Sequence, residues 1–189
     1  MTLRILGIAG SLRQGSYNRA ALRAAQKLAP AGTTVEIFER LREIPLYDED
    51  VKQQGFPPAV QALRERVKAT DALLLVTPEY NYSVPGVLKN AIDWVSRPPD
   101  QPFADKPIAV MGASPGMLGT ARAQYHLRQC FIFLDAKVLN RPEVMIGQAP
   151  SKFDAAGELT DEATAKAITG LLTALAAWTQ RLRTVPAAT

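Results

Sequence analysis

A doubly wound α/β fold is predicted by three observations on the chain. Leu3 to Ala9, Ala72 to Val76 and Ile108 to Met111 are short, nearly unbroken apolar runs, the pattern of parallel strands buried on both faces. Segments with apolar residues at helical spacing lie between them. Each run ends in a loop rich in Gly, Pro, Ser or Asn. Strands and helices alternate about five times, which implies one parallel sheet with right-handed crossovers and helices on both faces.

Taken in order, Leu3 to Ala9 is a strand that stops at Gly10-Ser11-Leu12-Arg13-Gln14-Gly15-Ser16. A helix follows from Asn18 to Ala29, with Ala21, Ala24, Ala25 and Leu28 on one face, closed by Pro30 and Gly32. Val35 to Phe38 is a short strand. Ile44 to Asp50 shows neither period and reads as an ordered loop. Pro57 and Pro58 open the next helix, with Val60, Leu63 and Val67 inward. Ala72 to Val76 delivers the loop Thr77 to Gly86, and a helix runs from about Val87 to Val95.

Arg97 to Pro107 is a proline-rich connection to the strand Ile108 to Met111. Gly112 to Thr120 is a third polar loop, and the helix from about Thr120 to Leu134 offers Leu127, Phe131 and Leu134 to the core. Lys137 to Leu139 is the last strand, and Arg141 to Gly157 is irregular. Thr160 caps a final helix whose first turn holds Asp161 and Glu162. Ile168, Leu171, Leu172, Leu175, Trp178 and Leu182 form its inward stripe, and Val185 to Thr189 reads as a frayed tail. Five strands in the order 2-1-3-4-5 give the flavodoxin-like arrangement, whose crevice lies outside the carboxyl ends of the first and third strands.

Composition narrows the function. A chain of 189 residues suits one domain, residues 1–189, with a sizeable core. The formal charge of +4 is scattered, so no nucleic-acid face is expected, only a general attraction for small anions. One cysteine, Cys130, excludes an intrachain disulfide and suits a reducing cytoplasm. No signal segment or membrane span is visible. With one histidine and one cysteine no zinc-type metal site is expected, and no G-x-S-x-G elbow marks a serine hydrolase.

The first loop matches neither G-x-G-x-x-G nor G-x-x-x-x-G-K-[ST]. Its serines, its arginine and the N–H groups of the next helix suit one terminal phosphate monoester; an ordinary glycine turn with a serine cap is the other reading. Prolines, tyrosines and amides in Thr77 to Gly86 suit the face and edge of a flat heterocycle. A structural loop with buried tyrosines is the alternative. Arg122 and Tyr125 lie near the start of their helix and so near the crevice. His126 reads as a surface or interface histidine, because it lacks a partner carboxylate or metal set.

Gly10-Ser11-Leu12-Arg13-Gln14-Gly15-Ser16-Tyr17-Asn18, Thr77-Pro78-Glu79-Tyr80-Asn81-Tyr82-Ser83-Val84-Pro85-Gly86 and Leu88-Lys89-Asn90-Ala91-Ile92-Asp93-Trp94 together resemble the NADPH-dependent FMN reductase family. Within it they are similar to bacterial chromate and quinone reductases, as are Ala123 to Gln129 and Phe133 to Ala136, so the resemblance spans nearly the whole chain. It implies bound FMN, with Ser11, Arg13, Ser16 and Asn18 at the phosphate and Tyr17 in the same binding set. Pro78, Glu79, Tyr80 and Asn81 would line the ribityl chain and isoalloxazine, and Ser114 and Gly116 the ring's other edge. NADPH or NADH is the implied co-substrate, with Arg97 adding charge near it. A homodimer or homotetramer is implied too, with Tyr82, Arg122 and Tyr125 near both the site and a subunit contact. Relatives often carry a Gly-Gly pair where this chain has Gly119-Thr120, preceded by Pro115, a departure that bears on acceptor preference.

The implied reaction is ping-pong: hydride from NADPH or NADH to FMN, then electrons to a quinone, azo compound, metal oxyanion such as chromate, or free flavin. Backbone dipoles and Arg122 would stabilise the reduced anion, and water, Tyr82 or Tyr125 would supply a proton. The rivals are a flavodoxin-type electron carrier and a non-catalytic flavin-binding protein. Such carriers are usually acidic with a Thr/Ser-rich phosphate loop, whereas this chain is basic and has Arg13 there.

Overall fold

Successive residues of the central strands feed opposite faces of one sheet, which is why their sequences are apolar throughout. In β1 (Leu3–Ala9) Ile5 packs on one face and Leu6 on the other; in β3 (Ala72–Val76) Leu74 and Leu73 do the same, as do Met111 and Val110 in β4 (Pro107–Ala113). The computed structural model describes residues 2–184, so the tail expected from Val185 lies outside the described residues. One face is covered by α1 (Tyr17–Lys27) and α6 (Glu162–Thr184), the other by α3 (Pro58–Ala69), α4 (Gly86–Val95) and α5 (Ala121–Cys130). With β2 (Thr33–Ile37) and β5 (Lys137–Val138), the strand order is β2-β1-β3-β4-β5, all parallel, as the sequence predicts.

The fifth position holds a correction. Within the segment read as irregular, β6 (Val144–Ile146) also pairs with β4, along Met111 to Ala113, while β5 pairs only with Pro107 and Ile108. The edge strand is thus split, and Pro142, which has no N–H for the ladder, lies in the gap. The loop read at Ile44 to Asp50 runs into a short α2 (Glu49–Gln53), capped by the Asp48 side chain. It buries no residue and so leaves no apolar period to read. The last helix is capped by Asp161 rather than Thr160: its carboxylate accepts from the Thr164 N–H at 2.8 Å. Lys152, with Thr164, holds the Asp161 carboxyl at about 2, down from 3.8. α5 ends at Cys130, yet Phe131 and Leu134 still reach the core through the turns that follow.

Strand register brings the informative loops together. Ala9 lies beside Val76 and Val76 beside Met111. The Gly10 N–H donates to Val76 O and the Thr77 N–H to Met111 O, each at 2.9 Å, so the loops after β1, β3 and β4 leave the sheet side by side. Between β1 and β3 the winding direction reverses, which opens a crevice at that edge. At the opposite edge the Arg64 guanidinium, almost wholly buried, donates to the carbonyls of Val95, Arg97 and Pro99 and lies over the Phe56 ring. It holds the loop that leaves α4 by the carbonyls exposed at a helix C-terminus.

Candidate active site

The loop after β1 is built on close approach and capping. A Cβ on Gly10 would come within 3.1 Å of Leu88 and 3.2 Å of Pro78, so glycine lets this turn press against the next loop. Ser16 is the N-cap of α1, its Oγ accepting from the N–H groups of Asn18 (3.2 Å) and Arg19 (3.5 Å). The buried Asn18 carboxamide donates to Ala113 O and accepts from the Ala113 N–H, both at 2.8 Å, and so ties α1 to the end of β4. Tyr17 packs on Phe153, with the Arg13 guanidinium 5.9 Å from its ring. Ser11 is buried at the turn, whereas Arg13 is exposed and, among the described residues, has no carboxylate partner.

The loop after β3 is built differently. Tyr80 and Ser83 exchange backbone hydrogen bonds at 3.2 and 3.0 Å around Asn81 (φ 49°) and Tyr82 (φ 65°). That is a two-residue turn of the left-handed kind. Asn tolerates this backbone; Tyr adopts it at a cost of order 1–3 kcal/mol and needs support. Support comes from Arg122 on α5, whose guanidinium lies 3.5 Å from the centre of the Tyr82 ring. Glu79 in turn pairs with Arg122 and accepts from the Ala123 N–H at 3.1 Å, with only 6% of its side chain exposed. Burial pushes its carboxyl up, but the Arg122 guanidinium and the Ala123 N–H outweigh this and hold it below the ordinary 4.5. Ser83 Oγ lies 3.1 Å from Nδ1 of His126, which is exposed as expected.

In the third loop the Ser114 hydroxyl donates inward to Gly119 O at 2.6 Å and Gly116 O accepts from the Gln148 N–H, while Pro115, Gly116, Met117 and Leu118 are exposed. Gly112, just before it, leaves no room for a side chain: a Cβ would lie 2.1 Å from both Thr77 O and Thr120 Oγ1.

The loops that carry Ser11, Arg13 and Ser16, then Pro78 to Tyr82, then Ser114 and Gly116 thus leave the sheet side by side, with Arg122 and, one turn along, Tyr125 on α5. Tyr80, Tyr82 and Tyr125 expose about half or more of their surface, so the reading of this loop as one with buried tyrosines does not hold. Three assignments change in kind. The Asn18 and Glu79 side chains are engaged with the protein itself and act by positioning loops. Arg97 follows the far end of α4, roughly 15 Å from the crevice end of that ten-residue helix, and there hydrogen-bonds Asp93 O and Ser96 Oγ. The structure does not bring it to the crevice of its own chain. The sequence reading missed the Glu79–Arg122 pair and the Asn18 clamp, whose partners lie far apart in the chain.

Fold and crevice define a mononucleotide-binding protein of the flavodoxin-like class. A sequence model described as NADPH-dependent FMN reductase matches residues 3–151. A Pseudomonas aeruginosa protein named NAD(P)H-dependent FMN reductase is 58% identical over 96% of this chain and 97% of its own. An Escherichia coli quinone reductase is 50% identical over 96% and 97%. Among solved structures, the flavoenzyme NAD(P)H:(acceptor) oxidoreductase FerB of Paracoccus denitrificans superposes with a TM-score of 0.86 at 36% identity, covering 95% of this chain and 98% of its own. The chain belongs to the NADPH-dependent FMN reductase family and is an enzyme that uses FMN and a nicotinamide coenzyme.

The residues present fit that cofactor. The first turn of α1 carries no acidic residue, so the positive end of the helix faces the loop uncompensated beside Arg13, as a phosphate monoester requires. The turn after β3 leaves the Tyr80 and Tyr82 rings exposed, the kind of surface a flat ring can meet.

Proposed function

We propose that this protein is an NAD(P)H-dependent quinone reductase that works by a ping-pong sequence, with free flavin, azo compounds and chromate-type oxyanions as further acceptors. The observation that carries the reading is the register of β1, β3 and β4, which sets an anion-fitted turn beside an open, aromatic one. The names of the P. aeruginosa and E. coli relatives support it.

Bound FMN would supply the hydride- and electron-transfer chemistry between the nicotinamide coenzyme and the acceptor. The chain's own work is binding, orientation and charge. Arg13 and the start of α1 hold the phosphate, and the exposed tyrosines leave one side of the crevice open to flat substrates. Arg122 stays cationic, its pKa raised by Glu79, but the same carboxylate cancels much of its field, so stabilisation of developing negative charge falls mainly to backbone dipoles. The exposed Tyr82 and Tyr125, with water, are the proton donors at hand for the acceptor.

We place residues 1–189 in one flavin-binding domain, in the cytoplasm, assembled as a homodimer or homotetramer. Ile132 and Phe133, in the turns after α5, are 78% and 93% exposed, apolar surface suited to a second copy. Among the described residues no helix is long and apolar enough to cross a membrane, and no cluster of metal ligands occurs. The test is the visible spectrum of the purified protein before and after anaerobic NADPH, followed by a quinone. Bleaching and reoxidation without any partner protein support the reading. A yellow protein inert to NADPH would favour the flavin-binding or carrier alternatives, and a colourless one that refuses FMN removes the whole scheme. Sedimentation reports the assembly.

A further inference from the structure

A cavity of about 210 Å³ opens between the ends of β1 and β2, on the side of the phosphate loop away from the tyrosine turn. Apolar Leu22, Ile37 and Phe38 and charged Arg23, Glu39 and Arg42 line it, and Ser11 and Leu12 of the phosphate loop form the wall it shares with that loop. Its charges are unevenly matched. Glu39 pairs with Arg19 at 3.0 Å and Glu43 with Arg40 at 2.6 Å. Arg23 and Arg42 meet only carbonyls, Gly157 O at 3.5 Å and Leu12 O at 2.9 Å, and among the described residues neither forms an ion pair. The cavity therefore keeps two guanidinium groups for an anion, one of them fastened to the phosphate loop itself.

In the doubly wound folds that bind a dinucleotide through a G-x-G-x-x-G loop, the place just past the second strand holds an adenosine ribose, with an acid at the ribose hydroxyls or an arginine at a 2′-phosphate; here the first loop lacks that pattern and fits FMN, and only the position past β2 and the acid-plus-arginine chemistry are shared. Glu39 and Arg42 stand just past the end of β2 at Ile37. We propose that the cavity receives the adenosine 2′-phosphate end of NADPH, with Arg23 and Arg42 on the phosphate and Glu39 at the ribose. The inference rests on the functional reading above. FMN ends in a monoester at the phosphate loop and brings no adenosine of its own, so the coenzyme must supply it. From the end of β3 to that of β2 is two strand spacings, roughly 10 Å, which an extended dinucleotide spans. The consequence is a preference for NADPH over NADH.

The test titrates FMN-loaded protein with adenosine 2′,5′-bisphosphate in a calorimeter. Binding to the wild type weakens about tenfold in Arg23→Gln and in Arg42→Gln, the scale of one charge-assisted hydrogen bond, and 5′-AMP binds poorly to all three. In both variants the ratio of kcat/KM for NADPH to that for NADH falls by a similar factor, with flavin content checked by absorbance. Failure of the bisphosphate to bind the wild type, or equal binding by the variants, overturns the proposal. So does an apoprotein that takes FAD more tightly than FMN and loses that difference in Arg42→Gln, since the cavity then serves a flavin's adenylate. The titration reads binding without turnover, so bisphosphate binding by a protein that oxidises no NADPH upholds this site while removing the catalytic reading.

Discussion

In the loop after β1 Ser16 caps α1 and Asn18 clamps Ala113, both turned inward, while Arg13 and Gln14 are exposed. In the loop after β3 the arrangement is reversed, with tyrosines facing solvent on a left-handed turn that is propped from behind by Glu79 and Arg122. The difference follows from what each loop must meet. A phosphate is held by backbone donors, so the side chains serve the backbone. A flat ring is met by surface area, so the side chains face outward and the support lies beneath them.

The largest effect should come from the point where both arrangements are anchored. Gly112→Ala would drive a Cβ to 2.1 Å from the Thr77 carbonyl and from the Thr120 hydroxyl. It should cost about 3 kcal/mol of stability, read by denaturant unfolding. A neutral result would mean that the loops do not depend on this contact. Arg13→Ala should weaken FMN binding by about 1.5–3 kcal/mol and leave unfolding of the apoprotein unchanged, because among the described residues Arg13 has no acidic partner to lose. Unaltered flavin affinity would count against its phosphate role.

Glu79→Gln should cost about 1 kcal/mol at neutral pH, since Arg122 is partly solvated. The sign of its pH dependence is fixed by the lowered carboxyl: the Glu79 contribution is complete above the ordinary 4.5 and is lost as pH falls through the lower folded value. The gap between wild type and variant should therefore close in acid, and a gap that persists there would show that Glu79 acts by shape alone. The smallest change in stability is expected for Tyr82→Gly. Glycine relieves the left-handed backbone while the stacking on Arg122 is lost, and the two offset to within about 1 kcal/mol. Turnover or assembly should change all the same; wild-type kinetics with an intact oligomer would remove Tyr82 from the site.

Much of the crevice was readable because strand ends announce themselves. An apolar run that breaks at Gly10-Ser11, and another at Thr77-Pro78, can only be strands giving way to loops, and parallel strands present such loops at one edge. Arg97 shows the limit. In the chain it follows closely on Asp93-Trp94, but α4 runs back along the sheet and carries it to the opposite end. Arg64 shows another, for nothing in a stripe of Val60, Leu63 and Val67 says that the neighbouring cation is buried to hold carbonyls of a loop thirty residues on.

By itself the sequence determined the alternation of buried strands and amphipathic helices, hence the sheet order and the edge at which ligands bind, because hydrophobic period and loop chemistry are local properties. Tertiary structure alone decided which side chains face the crevice and which are engaged by the protein. Glu79 and Arg122, or Asn18 and Ala113, meet only after several strands have been laid side by side in register, and no local pattern encodes that distance.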